Sequence, residues 1–417
     1  MPAVPDRPLR ICLLSYRSNP HCGGQGVYVK HLSRSLTGLG HQVHVVSGPP
    51  IPDVDKGIHL HPIPGLDLYN PENPFRTPSL GELKNPVNLM EWVSVSTQGF
   101  PEPFTFGIRA RRYVIKNKDK YDIVHDNQSL SYGVWSIQKR LPTVTTIHHP
   151  ITVDRDIAVT AEKNFLKKIK HLRWYSFTRM QKKVARTLSK IITVSKFARN
   201  DIVNEFGLSP GRFHIVPNGI DTERFHPLAG IERVPGRLIV TNSADTPLKG
   251  LGFLLKAIAI VKRSHPVHLV IVGNPQRNGY VRQAINDLGL AAAVDITGRI
   301  PQAEFIRQYA RASAAVIPSI YEGFGLPAGE AMACRVPVIS TTGGALPEVV
   351  GDAGLLVPPA DPTALANAIK VILDSPDYAD KLAEKGFRRV HSHFSWPVAA
   401  EKTLAVYAEA IRDHHKF

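Results

Sequence analysis

The chain has 417 residues, 43% of them hydrophobic and 21% charged, a balance that excludes disordered and fibrous proteins and exceeds what one ordinary core holds. Fifty-one lysines and arginines against 35 acids leave a formal charge of +16, which calls for an anionic partner: nucleic acid, acidic lipid headgroups or a phosphorylated substrate. Cys12, Cys22 and Cys334 are too few for a disulfide framework and lack a C-x-x-C spacing, so a reducing cytoplasm is expected. No window approaches the roughly 18 apolar residues of a membrane span, and MPAVPDRPLRICLLSY breaks the apolar stretch that a signal peptide needs.

Short β-branched runs recur in chain order, each followed by a helical pattern. The first series is LRICLLSY with GVYVKHLSRSLTGLG, then HQVHVVSG, DIVHDN, PTVTTIHH, KIITVSK and RFHIVPNG. After residue 235 the alternation restarts with RLIVTNS, HLVIVGN, VDITGRI, AAVIPS and VPVISTT, spaced by helical stretches such as GFLLKAIAIVKRS and EFIRQYARAS. Two parallel sheets follow, the α/β class with two Rossmann-like domains. The expected division is 1–225 for the first domain, 226–236 (HPLAGIERVPG) for a linker and 237–395 for the second domain. A helix over 396–417 is expected to return to the first. Residues 49–103, rich in Pro, Asn and Gly and carrying Phe75, Trp92 and Phe100, read as an insertion, either functional or a packed surface excursion.

In an open parallel sheet, ligands bind beyond the carboxyl ends of the strands. After the first strand, SNPHCGGQG sets Gly23, Gly24 and Gly26 before a helix whose first N–H groups suit an anion; a tight turn explains these glycines equally well. The segment YEGFGLPAGEAMACRVPVISTTGGALPEVV is more specific. Glu322 ends a strand, Gly323 and Gly325 let the backbone approach a ligand, and Pro327 suits the start of a helix pointing its N-terminus at the same place. Glu330 stands one turn in, where a carboxylate can take a pair of ribose hydroxyls. A helix-dipole role would explain one acid, but not both acids with Gly343-Gly344.

Together with PNGID at 217–221 and Lys249-Gly250, this constellation resembles glycosyltransferase family 4, retaining enzymes of the GT-B fold, from the glycine loop to the helix after Phe394-Ser395-Trp396. The resemblance implies two Rossmann-like domains facing across a cleft that holds a nucleotide-diphosphate sugar as co-substrate, with no further cofactor. It assigns Glu330 to the ribose and Glu322 to the transferred sugar. The backbone at Gly323, Phe324, Gly325 and Leu326 goes to phosphate and sugar, and Lys249 to the leaving diphosphate. His148, with His149 as the alternative, positions the donor sugar, and Gly24 and Gly26 join the donor-binding set. One departure stands out: the arginine usual six residues before the diphosphate lysine is Ser243 here. Either Arg299 or Arg17 supplies the charge, or donor affinity differs.

The expected activity is transfer of a hexose from a UDP- or GDP-sugar to a hydroxyl of a glycan, glycolipid or small molecule, the leaving phosphate taking the acceptor's proton. No D-x-D-like acidic pair ends a strand, so metal independence is expected. A further basic stretch needs its own explanation. From Glu162 to Lys190 ten lysines and arginines face one acid, and Phe165, Ile169, Leu172, Met180, Val184 and Leu188 fall at helical spacing. This helix either packs its apolar stripe on the first sheet or rests on anionic lipid at the inner face of the membrane, which would suit a lipid-linked acceptor. The competing readings are a basic nucleic-acid-binding protein, supported only by Trp174, Tyr175 and Phe177 among the cations, and a GT-B protein that binds nucleotide sugar without turnover. No known nucleic-acid motif appears, so no nucleic-acid partner is expected.

Overall fold

A computed structural model describes residues 7–18, 24–70, 73, 76–242, 247–275 and 279–414. The chain divides into two compact units, residues 1–194 with 198–216 and 399–417, and residues 195–197 with 217–398. The PNGID segment therefore belongs to the second unit, and all but the first residues of the last helix, Trp396–His414, belong to the first.

The first unit holds a seven-stranded sheet in the order β3-β2-β1-β4-β5-β6-β7. Its strands are β1 (Arg10–Ser15), β2 (Gln42–Ser47), β3 (His59–Pro62), β4 (Ile123–Asn127), β5 (Thr143–Thr146), β6 (Ile191–Thr193) and β7 (Phe213–Ile215), all paired in parallel. All five residues of β4 are buried, as expected of a parallel sheet covered on both faces. The helix Gly24–Gly38 turns Tyr28, Val29, Leu32 and Leu36 inward, one stripe of a 3.6-residue period. Leu32 and Leu36, with 1% and 0% exposure, each stabilise the unit by roughly 1.5–3 kcal/mol through burial.

The second unit holds a six-stranded sheet in the order β10-β9-β8-β11-β12-β13. The strands are β8 (Val234–Asn242), β9 (His268–Gly273), β10 (Val294–Gly298), β11 (Ala312–Ile317), β12 (Val338–Thr341) and β13 (Leu355–Val357), again all parallel. The helix Leu251–Val261 buries Leu251, Leu254, Leu255, Ile258 and Val261, the i, i+3, i+4, i+7 pattern read in the sequence. The two parallel-sheet Rossmann-like domains of the sequence reading are thus present.

Residues 49–103 carry regular structure rather than a long loop. They contribute the edge strand β3 and the helices Leu80–Leu83 and Pro86–Ser96, the first started by a Ser79–Glu82 capping box and the second by Asn85. Glu91 is buried against Arg109 at 2.6 Å. Phe100 stacks on Trp174, and Phe75 lies outside the described residues.

The basic stretch is not one helix. It forms the helix Phe165–Trp174, a 3-10 turn Tyr175–Phe177 and the helix Thr178–Ala185. The break follows Trp174, the last residue of the first helix, which stacks on Phe100 at 5.1 Å, with Phe177 on the same ring at 5.3 Å. Met180, Val184 and Leu188 enter the core, whereas Phe165, Ile169 and Leu172 stay exposed. Among the described residues no helix is long and apolar enough to cross a membrane.

Candidate active site

In the second sheet, β8 lies between β9 and β11. The strand order reverses there, so the loops leaving β8 and β11 diverge and open a crevice at the carboxyl edge. One loop carries Lys249 and the other Glu322. The amide of Ile320 donates to the Leu248 carbonyl at 2.8 Å, tying the loops together. Lys249 Nζ then donates to Glu322 Oε1 at 2.6 Å, and Ser319 Oγ donates to the same oxygen at 2.9 Å. The Glu322 side chain is only 13% exposed, so this charge pair is less screened than a surface ion pair.

The glutamate loop is held by its glycines. Gly344 adopts φ +67° and a side chain there would overlap the Glu322 carbonyl, which accepts from the Ala345 amide at 2.8 Å. Thr341 Oγ1 donates to the Ser319 carbonyl from the next strand. Ser195 Oγ donates to the Gly323 carbonyl at 2.9 Å. Phe324 is buried edge-on to Phe394, so this residue offers a ligand its backbone rather than its ring. Gly325, at φ +102°, opens the helix Leu326–Ala333, with Pro327 as its second residue, and the N–H-rich end of that helix follows directly on the glutamate loop.

Glu330 is in the same helix. Burial pushes its carboxyl up to about 7; the Arg224 guanidinium works against the shift and Asp221 adds to it. The PNGID segment packs on this helix, since a side chain at Gly329 would meet Ile220 Cδ1 at 2.5 Å. Asn218 Oδ1 and Arg224 Nε are buried without a hydrogen-bond partner among the described residues. An amide oxygen and a guanidinium with polar capacity unspent thus belong to the segment beside the helix that carries Glu330, a setting that suits a hydroxyl-rich ligand.

The first sheet has its own reversal at β1, between β2 and β4. Gly24 and Gly26 occupy the first turn of the helix after β1. A side chain built at Gly24 would meet no atom of the described residues within 4 Å. Gly23 lies outside the described residues. His148 follows β5, and its Nε2 meets Asn127 Oδ1, at the end of β4, at 2.8 Å. Its amide donates to Gln128 Oε1 at 2.9 Å, and its ring stands edge-on to Tyr28. Burial holds the imidazole neutral, its pKa lowered to about 3, with His149 and His125 adding to the effect. With Asn127 oriented this way, Nε2 carries the proton and Nδ1 keeps a lone pair for a donor hydroxyl. His149 is engaged by Asp154 at 2.8 Å.

The structure does not gather every residue named from the sequence. Arg299 follows β10 at the sheet edge, two strands from β8, about 10 Å away by strand spacing. Arg17 pairs with Glu102 at 3.2 Å and lies over Tyr69. Ser243 falls outside the described residues. Ser319, Asn127, Tyr28 and Arg224 went unnamed in the sequence reading; Ser319 and Asn127 sit at strand ends, the signal that could have found them. Among the described residues no group of three His, Cys, Asp or Glu side chains is placed to hold a metal ion.

The sequence matches the family described as "Glycosyltransferase Family 4" over residues 22–224 and that described as "Glycosyl transferases group 1" over 236–375. It is 45% identical to an "MMP alpha-(1->4)-mannosyltransferase" of Mycolicibacterium hassiacum, covering 97% of this chain and 98% of that protein. It is 26% identical to "D-inositol 3-phosphate glycosyltransferase 2" of Catenulispora acidiphila over 97% and 96% of the two chains. Sucrose-phosphate synthase from Thermosynechococcus elongatus superposes with a TM-score of 0.74 at 23% identity, covering 97% and 99%.

Proposed function

The chain belongs to glycosyltransferase family 4 and is a glycosyltransferase of GT-B type, and from that premise we propose that it is a retaining mannosyltransferase. The donor is a nucleotide-diphosphate mannose, with GDP-mannose placed ahead of the UDP-hexoses because the 45% identical relative is a mannosyltransferase. The acceptor is a hydroxyl of a glycan, glycolipid or small molecule, and the reaction takes place in the cytoplasm without a metal ion.

The observation that carries the chemistry is the Lys249–Glu322 pair at the β8–β11 reversal. As the bond from the anomeric carbon to the diphosphate oxygen breaks, negative charge develops on the leaving group, and Lys249 with the N-terminus of the helix Leu326–Ala333 stabilises it. The acceptor oxygen forms its bond on the same face and passes its proton to the departing phosphate. Glu322 accepts from hydroxyls of the transferred sugar. His148, neutral and with Nδ1 as acceptor, orients a sugar hydroxyl. Glu330 takes the two ribose hydroxyls, beside Arg224.

Glu330 must be ionised to accept two donors, and its pKa is raised to about 7. Donor affinity is therefore expected to rise through pH 7, and below it to weaken by about tenfold per pH unit. Calorimetric titration of the donor between pH 6 and 8 measures this. A Glu330→Gln variant should bind weakly with a flat profile; an equally steep profile in that variant would assign the titration to another group.

The donor itself is tested by thermal stabilisation with GDP-mannose, UDP-glucose, UDP-N-acetylglucosamine and the free nucleotides. A ligand at a hundred times its Kd stabilises by about 2.7 kcal/mol. GDP-mannose and GDP are expected to raise the Tm of the wild type and not that of Glu330→Ala. Stabilisation by uridine nucleotides alone would overturn the choice of base, and stabilisation by none of them would overturn the donor site.

A further inference from the structure

The helix Phe165–Trp174 has no buried residue. Phe165, Leu166, Ile169 and Leu172 are 73%, 67%, 47% and 51% exposed. Their spacing places them on one stripe, since residues three and four apart are neighbours on a helix surface. An isolated ten-residue helix is marginal in water. This one is capped at its N-terminus by Asn164, whose side chain accepts from the Lys167 amide at 3.2 Å, and is tied down at its C-terminal end, where Trp174 stacks on Phe100 and Arg173 Nη2 donates to Thr97 Oγ1 at 3.1 Å. Thr97 caps the helix Pro86–Ser96, which exposes its own apolar group of Leu89, Met90 and Val93. Two neighbouring helices thus present apolar side chains that the fold does not cover.

We propose that the helix Phe165–Trp174 is a docking surface for an anionic lipid bilayer, lying in the membrane interface with its apolar stripe among the acyl chains and its lysines at the headgroups. Charge selects this occupant. Residues 162–174 contain five lysines and arginines against the single acid Glu162, which is 3.9 Å from Lys167. A second copy of the same helix would bring like charges together, while phosphate headgroups would neutralise them. Nucleic acid is the weaker match. A single strand is bound on several exposed stacking aromatics, whereas here Phe165 is exposed but Trp174 is taken up by Phe100 and Tyr69, and Phe177 is buried. The side chains left exposed are mainly aliphatic, as acyl chains require.

The test is co-sedimentation of the full chain with vesicles of phosphatidylcholine alone and of phosphatidylcholine with phosphatidylglycerol. Binding to the anionic vesicles is expected to be at least about tenfold tighter and to fall steeply with salt. The apolar variant Leu166→Ser/Ile169→Ser and the charge variant Lys167→Glu/Lys170→Glu should each weaken it by about tenfold or more, with the Tm and donor-induced stabilisation of the wild type retained. No binding to anionic vesicles would overturn the proposal. So would a wild-type dimer in analytical ultracentrifugation that the apolar variant dissociates, or binding to a mixed-sequence oligonucleotide that outcompetes the vesicles. Because donor stabilisation is read separately, failure at the membrane leaves the transferase assignment standing.

Discussion

Replacing Lys249 by alanine is expected to lower kcat by about 10²–10³-fold, the scale of losing one fixed charge aimed at a developing anion. The reasoning starts from position. Lys249 leaves β8 and Glu322 leaves β11, and the strand reversal between them puts both at the crevice mouth, joined at 2.6 Å. Removing the ammonium also deprives Glu322 of its charged partner while Ser319 still holds Oε1. Two residues in direct contact do not act independently. The double variant Lys249→Ala/Glu322→Ala should therefore lose less than the product of the two single losses. Steady-state kinetics on the four proteins of the cycle measures this. Strictly multiplicative losses would mean that the pair is not a working unit, and a kcat unchanged in Lys249→Ala would remove the lysine from the mechanism.

The largest structural effect is expected from Gly250→Ala. Gly250 has φ +67° and starts the helix Leu251–Val261, a conformation that costs an L-residue roughly 1–2 kcal/mol. A side chain there would also overlap the carbonyl oxygen of Pro318, so the backbone must move. Pro318 precedes Ser319 and Gly250 follows Lys249, so the displacement reaches both halves of the charge pair. A destabilisation of about 3 kcal/mol or more is expected, lowering the Tm of the second unit by roughly 6–12 °C. Activity should fall with it. Gly24→Ala is the contrasting case, because its added carbon meets none of the described residues within 4 Å; its Tm should stay near wild type, and any loss of activity would then report a ligand approaching that backbone. Wild-type melting of Gly250→Ala in a calorimeter would overturn this expectation.

Much of this fold was legible in the sequence because its central strands are β-branched runs followed at once by amphipathic helices. The two strands that escaped, β3 (HLHP) and β13 (LLV), both close a sheet edge. β3 carries two histidines and a proline, and β13 is only three residues long, so neither shows the longer β-branched run that announces a central strand. The glutamate loop was legible as well, because glycines at Gly325 and Gly344 meet a local backbone need that the letters display. The basic stretch was legible only in part. Helical spacing ran from Phe165 to Leu188, but the turn at Tyr175–Phe177 depends on Phe100, some 75 residues earlier in the chain.

By itself the sequence determined the class of the protein, two parallel α/β sheets with a phosphate-suited loop and two acids, since these follow from local periodicity and from residue types at strand ends. The tertiary structure alone decided which of those residues meet. Lys249 and Glu322 are 73 residues apart and join only because β8 and β11 are neighbours. The protonated nitrogen of His148 is set by Asn127 on the adjoining strand, and the raised pKa of Glu330 by the burial of its helix. Periodicity gives the face of a helix but not what covers it, and so the packing of Met180 and the exposure of Phe165, two halves of one pattern, were separated only by the fold.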